Sequence, residues 1–182
     1  MACELVIGGA RSGKSRLAEA RARDDGREVV VIATAEALDP EMALRIERHR
    51  RDRPGHWRTI EAPGGLAGVL AAEAAVGRVL VVDCLTMWLS NRMVGLDPAR
   101  HPHDAEHLPE LVAEREALLR TLPGLPGRIL LVSNELGFGV VPETPLGRLF
   151  RDEAGRLNQR VAALAERVTL VVAGLPLELK ST

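Results

Sequence analysis

The sequence predicts an α/β fold with a doubly wound, mostly parallel sheet that carries helices on both faces. Short apolar runs rich in β-branched residues alternate with longer segments of helical period, and a glycine-rich loop joins the first run to the first of these segments. The runs are continuously apolar, which is typical of parallel strands covered on both faces. With 182 residues, we expect one domain spanning the chain.

Five runs are predicted as strands, at residues 3–7, 28–34, 78–82, 129–133 and 169–173. The segments between them are long enough for the right-handed crossovers that join parallel strands. Residues 175–179 follow a glycine-containing turn and predict one more strand, antiparallel to the others.

Helices are predicted from their caps and from their apolar period. The first covers residues 12–23, after the glycine loop; the second begins at Asp39-Pro40 and the third at Thr144-Pro145, each with a capping side chain followed by proline. Residues 108–122 form a fourth amphipathic pattern, and an alanine-rich helix follows a Pro/Gly turn at 62–68. Residues 95–109 are polar and contain proline, so we expect a surface loop there.

Composition excludes several classes of protein. The net charge is −1 and aromatic residues make up 2% of the chain, which argues against a nucleic-acid-binding surface. No apolar run approaches the length of a membrane span. Cys3 and Cys84 lie in or beside apolar runs without metal-ligand spacing, so we expect buried thiols in a reducing, cytoplasmic setting.

The strongest motif is the glycine loop Gly8-Gly9-Ala10-Arg11-Ser12-Gly13-Lys14-Ser15. It matches the pattern GxxxxGK[ST] between a strand and a helix, and this makes the fold of P-loop NTPase type. Backbone N–H groups and the helix N-terminus would bind phosphates, Lys14 would contact the β/γ-phosphates, and the Ser15 hydroxyl would bind Mg²⁺. An accidental glycine-rich turn is the alternative.

Asp83 ends the apolar run at 79–82, as a Walker B acid does. An acid at the carboxyl end of a parallel strand beside the glycine loop can hold Mg²⁺ directly or through water. Asp83 could instead cap the following helix. The segment Ser133-Asn134-Glu135 ends another run in a similar way and is a weaker candidate.

Four arginines surround one histidine in Arg48-His49-Arg50-Arg51-Asp52-Arg53. The arginines would attract a triphosphate, and their charge favours the neutral, nucleophilic imidazole. A neutral histidine can attack the α-phosphorus of GTP and carry the nucleotidyl group. A solvated arginine face and a packed histidine are the alternative. His101, His103 and His107 lie in the expected surface loop without fixed geometry, so we do not predict a zinc site there.

Several blocks together resemble the bifunctional adenosylcobinamide kinase / adenosylcobinamide-phosphate guanylyltransferase family of cobalamin biosynthesis. They are GGARSGKSRLAE at 8–19, residues 33–35, EMALRIERHRRDRPGHWRTIE at 41–61, DCLTMWLSN at 83–91, SNELGFGVVPE at 133–143 and FRDEAGRLNQR at 150–160. The middle and late blocks are much more specific than the glycine loop, which many unrelated NTPases share.

The resemblance implies a catalytic role for His49, as the guanylylated residue, beside Lys14. Members can carry two adjacent histidines there, and Arg48 occupies the first position in this chain. The implied nucleotide contacts are Gly8 to Ser15, Ala33, Thr34, Ala35, Arg50, Arg51, Asp52, Arg53, Glu61 and Asp83.

The resemblance also implies the reaction and the partners. ATP or GTP would phosphorylate the hydroxyl of the aminopropanol arm of adenosylcobinamide; GTP would then guanylylate His49, and adenosylcobinamide phosphate would accept GMP to give adenosylcobinamide-GDP. Family members form oligomers, trimers among them, so a homo-oligomer is expected. Two other classes stay open from the residues: a simple P-loop kinase with a structural His49, and a regulatory nucleotide-binding protein.

Overall fold

The computed structural model describes residues 2–37, 39–93 and 108–181, and their backbone alternates strands and helices. The strands are β1 (Ala2–Gly8), β2 (Glu28–Ala33), β3 (Arg58–Glu61), β4 (Arg78–Asp83), β5 (Arg128–Asn134), β6 (Arg167–Val172) and β7 (Leu175–Ser181). The helices are α1 (Lys14–Asp25), α2 (Pro40–Asp52), α3 (Leu66–Glu73), α4 (Leu85–Met93), α5 (Pro109–Thr121) and α6 (Pro145–Leu164), with a 3₁₀ turn at Leu122–Gly124.

All seven strands form one sheet in the order β3-β2-β4-β5-β1-β6-β7. Neighbouring strands are parallel except for β6 and β7, which are antiparallel. The predicted doubly wound, mostly parallel sheet is therefore confirmed, including its antiparallel last strand. None of the described helices is long and apolar enough to cross a membrane.

The core lies on both faces of the sheet because the central strands are apolar on both sides. β2 and β4 each bury four consecutive residues. Ala18 and Ala22 of α1 pack on one face, where small side chains let the helix lie close to the valines of the sheet. Trp88 and leucines of α3 to α6 cover the other face. Burial of this continuous apolar surface is the main stabilising contribution.

Two helix starts follow the predicted caps. The Asp39 carboxylate accepts a hydrogen bond of 2.7 Å from the Met42 N–H, and the Thr144 hydroxyl accepts one of 3.1 Å from Gly147. Helix α1 begins at Lys14 instead of at Ser12. The reason is that Gly13 has a φ of 98°, in the left-handed region, which a helical residue cannot adopt.

Strand β3 was not predicted from the sequence. It has four residues with a charged residue at each end, Arg58 and Glu61, and pairs only with β2, at the edge of the sheet. A short edge strand buries little apolar surface, so it lacks the continuous apolar run that marks the central strands. The structure corrects the prediction here by one strand.

Both cysteines are buried thiols, as predicted. Burial raises the pKa of Cys3 to about 12, and it also raises the pKa of Cys84. Desolvation disfavours the thiolate, and these groups are therefore held in their unreactive, neutral form.

Asp25 at the end of α1 should stabilise the fold in a pH-dependent way. Its carboxylate accepts hydrogen bonds from Arg27 (2.8 Å) and Arg128 (2.9 Å), which lower its pKa from 3.8 to about 2. A lowered pKa stabilises the folded state above pH ~4, and the contribution is lost as the pH falls toward ~2. We expect Asp25→Asn to lower the free energy of unfolding by about 1–2 kcal/mol at pH 7.

Urea unfolding of parent and Asp25→Asn protein between pH 7 and pH 3 measures this effect, and the difference should shrink as the pH falls. Asp24→Asn, at the exposed neighbouring position, is the matched control. A difference that stays constant over this range would contradict the assignment.

Candidate functional site

The glycine loop connects β1 to α1, and two of its glycines are required by its geometry. A Cβ at Gly8 would lie 2.5 Å from the Ser12 Oγ and 2.6 Å from the Val171 carbonyl oxygen. Gly13 has its left-handed φ of 98°, and Arg11 is also in the left-handed region, with a φ of 57°. The loop therefore turns tightly and places its backbone close to the start of α1.

The loop has several features of a phosphate site. No side chain caps the N-terminus of α1, whose first N–H groups are thus directed toward the loop. The Lys14 ammonium, on a side chain that is largely buried, donates a hydrogen bond of 3.1 Å across the loop to the Gly9 carbonyl. The Ser12 Oγ is buried without a hydrogen-bond partner, so it is available to bind a ligand atom.

Ser15 meets Asp83 at the carboxyl end of the sheet. The Ser15 hydroxyl donates to Asp83 Oδ1 at 3.2 Å. The strands that precede these residues are not neighbours, because β5 lies between β1 and β4. Helix α1 packs on β1, β5 and β4, so Ser15 in its first turn can reach Asp83 across the intervening strand β5. The acid thus lies beside the loop, although its strand does not.

Arg53, directly after α2, lies between two carboxylates. Its Nη2 is 3.2 Å from Asp83 Oδ2, its Nε is 3.5 Å from Glu19 Oε1, and its side chain is only 7% exposed. Burial raises the pKa of Glu19, and this effect outweighs the opposing effect of Arg53. The chain Ser15–Asp83–Arg53–Glu19 therefore joins the glycine loop to the end of α2.

His49 is one helical turn before Arg53 and faces the same region. It shares the less exposed side of α2 with Met42 and Ile46, as its spacing predicted. Burial is the main influence on the pKa of Glu19, and the charge of His49 makes the smallest of the contributions that lower it, which is consistent with His49 lying near this carboxyl. Every described side chain of α2 is at least partly exposed to solvent.

Two further arginines of this segment form exposed ion pairs. Arg50 Nη2 is 2.7 Å from Glu61 Oε1, and Arg51 Nη2 is 2.7 Å from Glu47 Oε1. Asp52 is exposed as well. Exposed pairs of this kind contribute little to stability, so the arginines can exchange their carboxylate partners for a phosphate at little cost.

The segment Ala33 to Ala35 is fixed at the carboxyl end of β2. The buried Thr34 hydroxyl donates to the Cys84 carbonyl at 2.6 Å and accepts from the Cys84 N–H at 2.9 Å. The Asn91 side-chain amide donates to the Thr34 carbonyl at 2.7 Å. These bonds hold the segment against Asp83, so its main chain lines the same edge of the sheet.

Two members of this arrangement were missed from the sequence, Glu19 and Asn91. Glu19 follows Ser15 by four residues, and this i, i+4 spacing places both on one face of α1. The spacing could have indicated Glu19 once Ser15 was assigned. Asn91 had no such signal, because its partners lie on other elements of the fold.

Of the weaker candidates, Glu135 lies directly next to the loop. Its N–H donates to the Gly8 carbonyl at 3.0 Å, and its carboxylate accepts from the Gly137 N–H at 2.6 Å. His101, His103 and His107, for which we predicted a surface loop, lie outside the described residues. Within the described part of the chain, no group of three or more His, Cys, Asp or Glu residues is arranged to hold a metal.

The comparison with known families agrees with this geometry. Residues 4–179 match the family described as "Cobinamide kinase / cobinamide phosphate guanyltransferase". The chain belongs to this family. It is accordingly a transferase with a cobinamide kinase and a cobinamide phosphate guanylyltransferase activity, acting in adenosylcobalamin biosynthesis, and the resemblance drawn from the sequence is confirmed.

Curated relatives match nearly the whole chain. The bifunctional adenosylcobalamin biosynthesis protein CobP of Pseudomonas aeruginosa is 55% identical over 177 residues, which are 97% of this chain and 96% of the relative. The protein CobU of Escherichia coli, with the same description, is 42% identical over 179 residues, 97% of this chain and 98% of the relative.

A solved structure from Pyrococcus horikoshii, described as a structural study of PH0250, has a similar fold. It has a TM-score of 0.52 and 9% sequence identity, and the match covers 99% of this chain and 86% of that one. At this identity the similarity concerns the fold alone.

Proposed function

We propose that the chain phosphorylates adenosylcobinamide with ATP or GTP and then transfers GMP from GTP to the product through a guanylyl-His49 intermediate. The observation that carries the proposal is the chain of contacts Ser15–Asp83–Arg53–Glu19. It links the phosphate loop to α2, the helix that carries His49. The same site would thus bind the triphosphate and contain the candidate nucleophile, His49.

The loop residues would serve phosphoryl transfer to the substrate hydroxyl. Backbone N–H groups of the loop and the Lys14 ammonium would hold the β- and γ-phosphates and stabilise their developing charge. Ser15 Oγ and Asp83 Oδ1, 3.2 Å apart, are hard oxygen donors suited to Mg²⁺, which binds through one or two protein ligands plus phosphates. When bound, Mg²⁺ would neutralise phosphate charge.

The guanylyl step would use His49 as the nucleophile. Its neutral imidazole nitrogen attacks the α-phosphorus of GTP, a P–N bond forms, and the bond to the bridging oxygen breaks so that pyrophosphate leaves. An oxygen of adenosylcobinamide phosphate then attacks the same phosphorus and displaces His49, which returns to its starting state. The product is adenosylcobinamide-GDP.

The light packing of α2 supports this role. A helix without a fully buried described side chain has few contacts to lose when it changes position, so it can adjust around a bound nucleotide. Arg50 and Arg51 would then contact phosphate oxygens, with Ala33 to Ala35, Asp52 and Glu61 lining the remaining nucleotide surface.

The proposal includes a cytoplasmic homo-oligomer, with a trimer as the assembly to test by sedimentation. Edge strand β7 and the adjacent end of β6 expose the apolar side chains Val172, Leu175 and Leu177. Apolar side chains on a sheet edge are typical of surfaces that associate.

The position of the label tests the guanylyl step. The protein is incubated with Mg²⁺ and GTP labelled in either the α- or the γ-phosphate, denatured, and freed of nucleotide. We expect α-label to stay on the protein and γ-label to leave, before any corrinoid is added. The adduct should be acid-labile and alkali-stable, as a phosphoramidate is. Retention of γ-label or of neither label would refute the step and leave a simple P-loop kinase or a regulatory binding protein.

Asp83→Asn should raise the Mg²⁺ requirement. An amide balances the metal charge poorly, so we expect half-maximal activity at Mg²⁺ concentrations about 10- to 100-fold higher, with a smaller effect on stability. Magnesium titrations of the kinase reaction measure this. If the titrations of Asp83→Asn and of the parent superimpose, Asp83 does not act through the metal.

A further inference from the structure

A cavity of about 800 Å³ opens between α6 and the strands β1, β6 and β7. Leu5, Ile7 and Val168 of the sheet provide apolar surface, while Asn158 and Gln159 of α6 provide amides. Both its size and its mixed lining are those of a small-molecule site. It lies on the face of the sheet that α1 does not cover.

The cavity reaches the phosphate loop. Ile7, which lines it, immediately precedes Gly8. Glu135, also in the lining, donates its N–H to the Gly8 carbonyl at 3.0 Å. A ligand in the cavity would therefore have one end beside the loop that we propose holds the triphosphate.

Asn158 presents an unused hydrogen-bond acceptor in this lining. Its side chain donates to the Asn134 carbonyl at 3.0 Å, whereas its Oδ1 is buried without a hydrogen-bond partner. The residue is only 7% exposed. Buried amide oxygens are nearly always paired in folded proteins, so a ligand in the cavity that donates an N–H or O–H group could supply the missing partner.

An exposed apolar segment lies at the rim of the cavity. Gly137 lines the cavity, and the following residues Phe138 and Val140 are 85% and 93% exposed. Phe138 is one of two phenylalanines in the chain. Exposed large apolar side chains beside a polar pocket favour a ligand with a broad apolar face.

We propose that this cavity binds the corrinoid substrate. A corrin macrocycle has a broad apolar face and primary amides around its edge, which matches an apolar rim and a buried acceptor. One edge of the macrocycle would enter the cavity, with an amide N–H donating to Asn158 Oδ1 and the hydroxyl-bearing arm directed toward Gly8. The inference rests on the proposed function, because that function supplies the corrinoid.

Gly155→Met tests the proposal. Gly155 lies on α6 in the cavity lining, and an added Cβ there would have no atom within 4 Å, so the longer side chain can fill the cavity without disturbing its neighbours. Gly68→Met on α3 is the matched control, since Gly68 is also helical and also has open space at its Cβ, but lies outside the cavity. Asn158→Ala removes the acceptor.

Binding of cobinamide is followed by equilibrium dialysis through the visible absorbance of the corrin, and the KM for cobinamide is measured in the kinase assay. We expect Gly155→Met to raise both the dissociation constant and the KM for cobinamide about tenfold or more. Asn158→Ala should raise them by up to about tenfold, and Gly68→Met should match the parent. Label from α-labelled GTP should remain on all of these proteins, because guanylylation of His49 does not require the corrinoid.

The outcomes separate the two proposals. Parent affinity for cobinamide in Gly155→Met, or absence of cobinamide binding by the parent in both assays, would overturn the cavity assignment. So would a change in sedimentation mass with Gly155→Met, since a second copy of the chain would then occupy the cavity. Failure of the parent to take up α-label would refute the guanylyl step alone, and the binding comparison would still decide on the cavity.

Discussion

Lys14→Ala is expected to remove most of the cobinamide phosphorylation and most of the labelling of the protein by α-labelled GTP. The ammonium lies across the glycine loop, bonded to the Gly9 carbonyl, and it is a point charge at the place where the β- and γ-phosphates would bind. Loss of one such electrostatic contact should lower turnover by about 10²–10³-fold. Nucleotide affinity, measured by calorimetry, should fall as well.

The control for Lys14→Ala is Arg23→Ala, at the other end of the same helix. The Arg23 guanidinium lies 5.9 Å from the centre of the Trp57 ring, far along α1 from the loop. We expect this variant to bind nucleotide like the parent. A folded Lys14→Ala protein with parental nucleotide affinity and turnover would contradict the assignment of the loop.

His49→Ala is expected to lose guanylyl transfer by at least about 10³-fold, as the loss of a nucleophile does, while phosphorylation of cobinamide stays within a few fold of the parent. The two reactions share the phosphate loop but use different nucleophiles: the substrate hydroxyl in the first and the imidazole in the second. The ratio of the two activities is therefore the quantity to measure.

His56→Ala is the matched control for His49→Ala. His56 is exposed and contacts Trp57 edge to face, with ring centres 6.4 Å apart. Its loss should leave both activities intact. If His49 instead serves only to pack α2, its replacement should lower the melting temperature and reduce both activities in proportion.

The sheet could be predicted well because its central strands are apolar on both faces. Runs such as 78–82, in which four consecutive residues are buried, are typical of parallel strands covered on both faces, and the caps Asp39 and Thr144 indicated two helix starts. β3 could not be predicted, since only Ile60 in its middle is a large apolar residue. Its strand conformation depends on pairing with β2, which is a tertiary contact.

Some residues of the site could likewise be predicted from the sequence, and others could not. The glycine loop is contiguous in sequence and has geometric requirements at Gly8 and Gly13, so it could be recognised directly. The contacts of Arg53 with Asp83 and Glu19 join three separate elements, and the insertion of β5 between β1 and β4 follows from strand order. No local pattern encodes either feature.

The cavity beside α6 could not be predicted from a local sequence pattern either. Its lining combines residues of β1, α6 and β7 that lie far apart in the sequence. The unpaired oxygen of Asn158 becomes evident only when the partner of its amide nitrogen is known.

The most direct test of the account is the location of the GMP adduct. The parent protein is incubated with GTP and Mg²⁺, digested, and sequenced by fragmentation mass spectrometry under conditions that preserve phosphoramidates. The chain has five histidines and two lysines as candidate nitrogen nucleophiles. We expect GMP on His49 alone, absent from His49→Ala and present in His56→Ala; GMP on Lys14, on His56 or on no residue would contradict the role of His49 as the nucleophile.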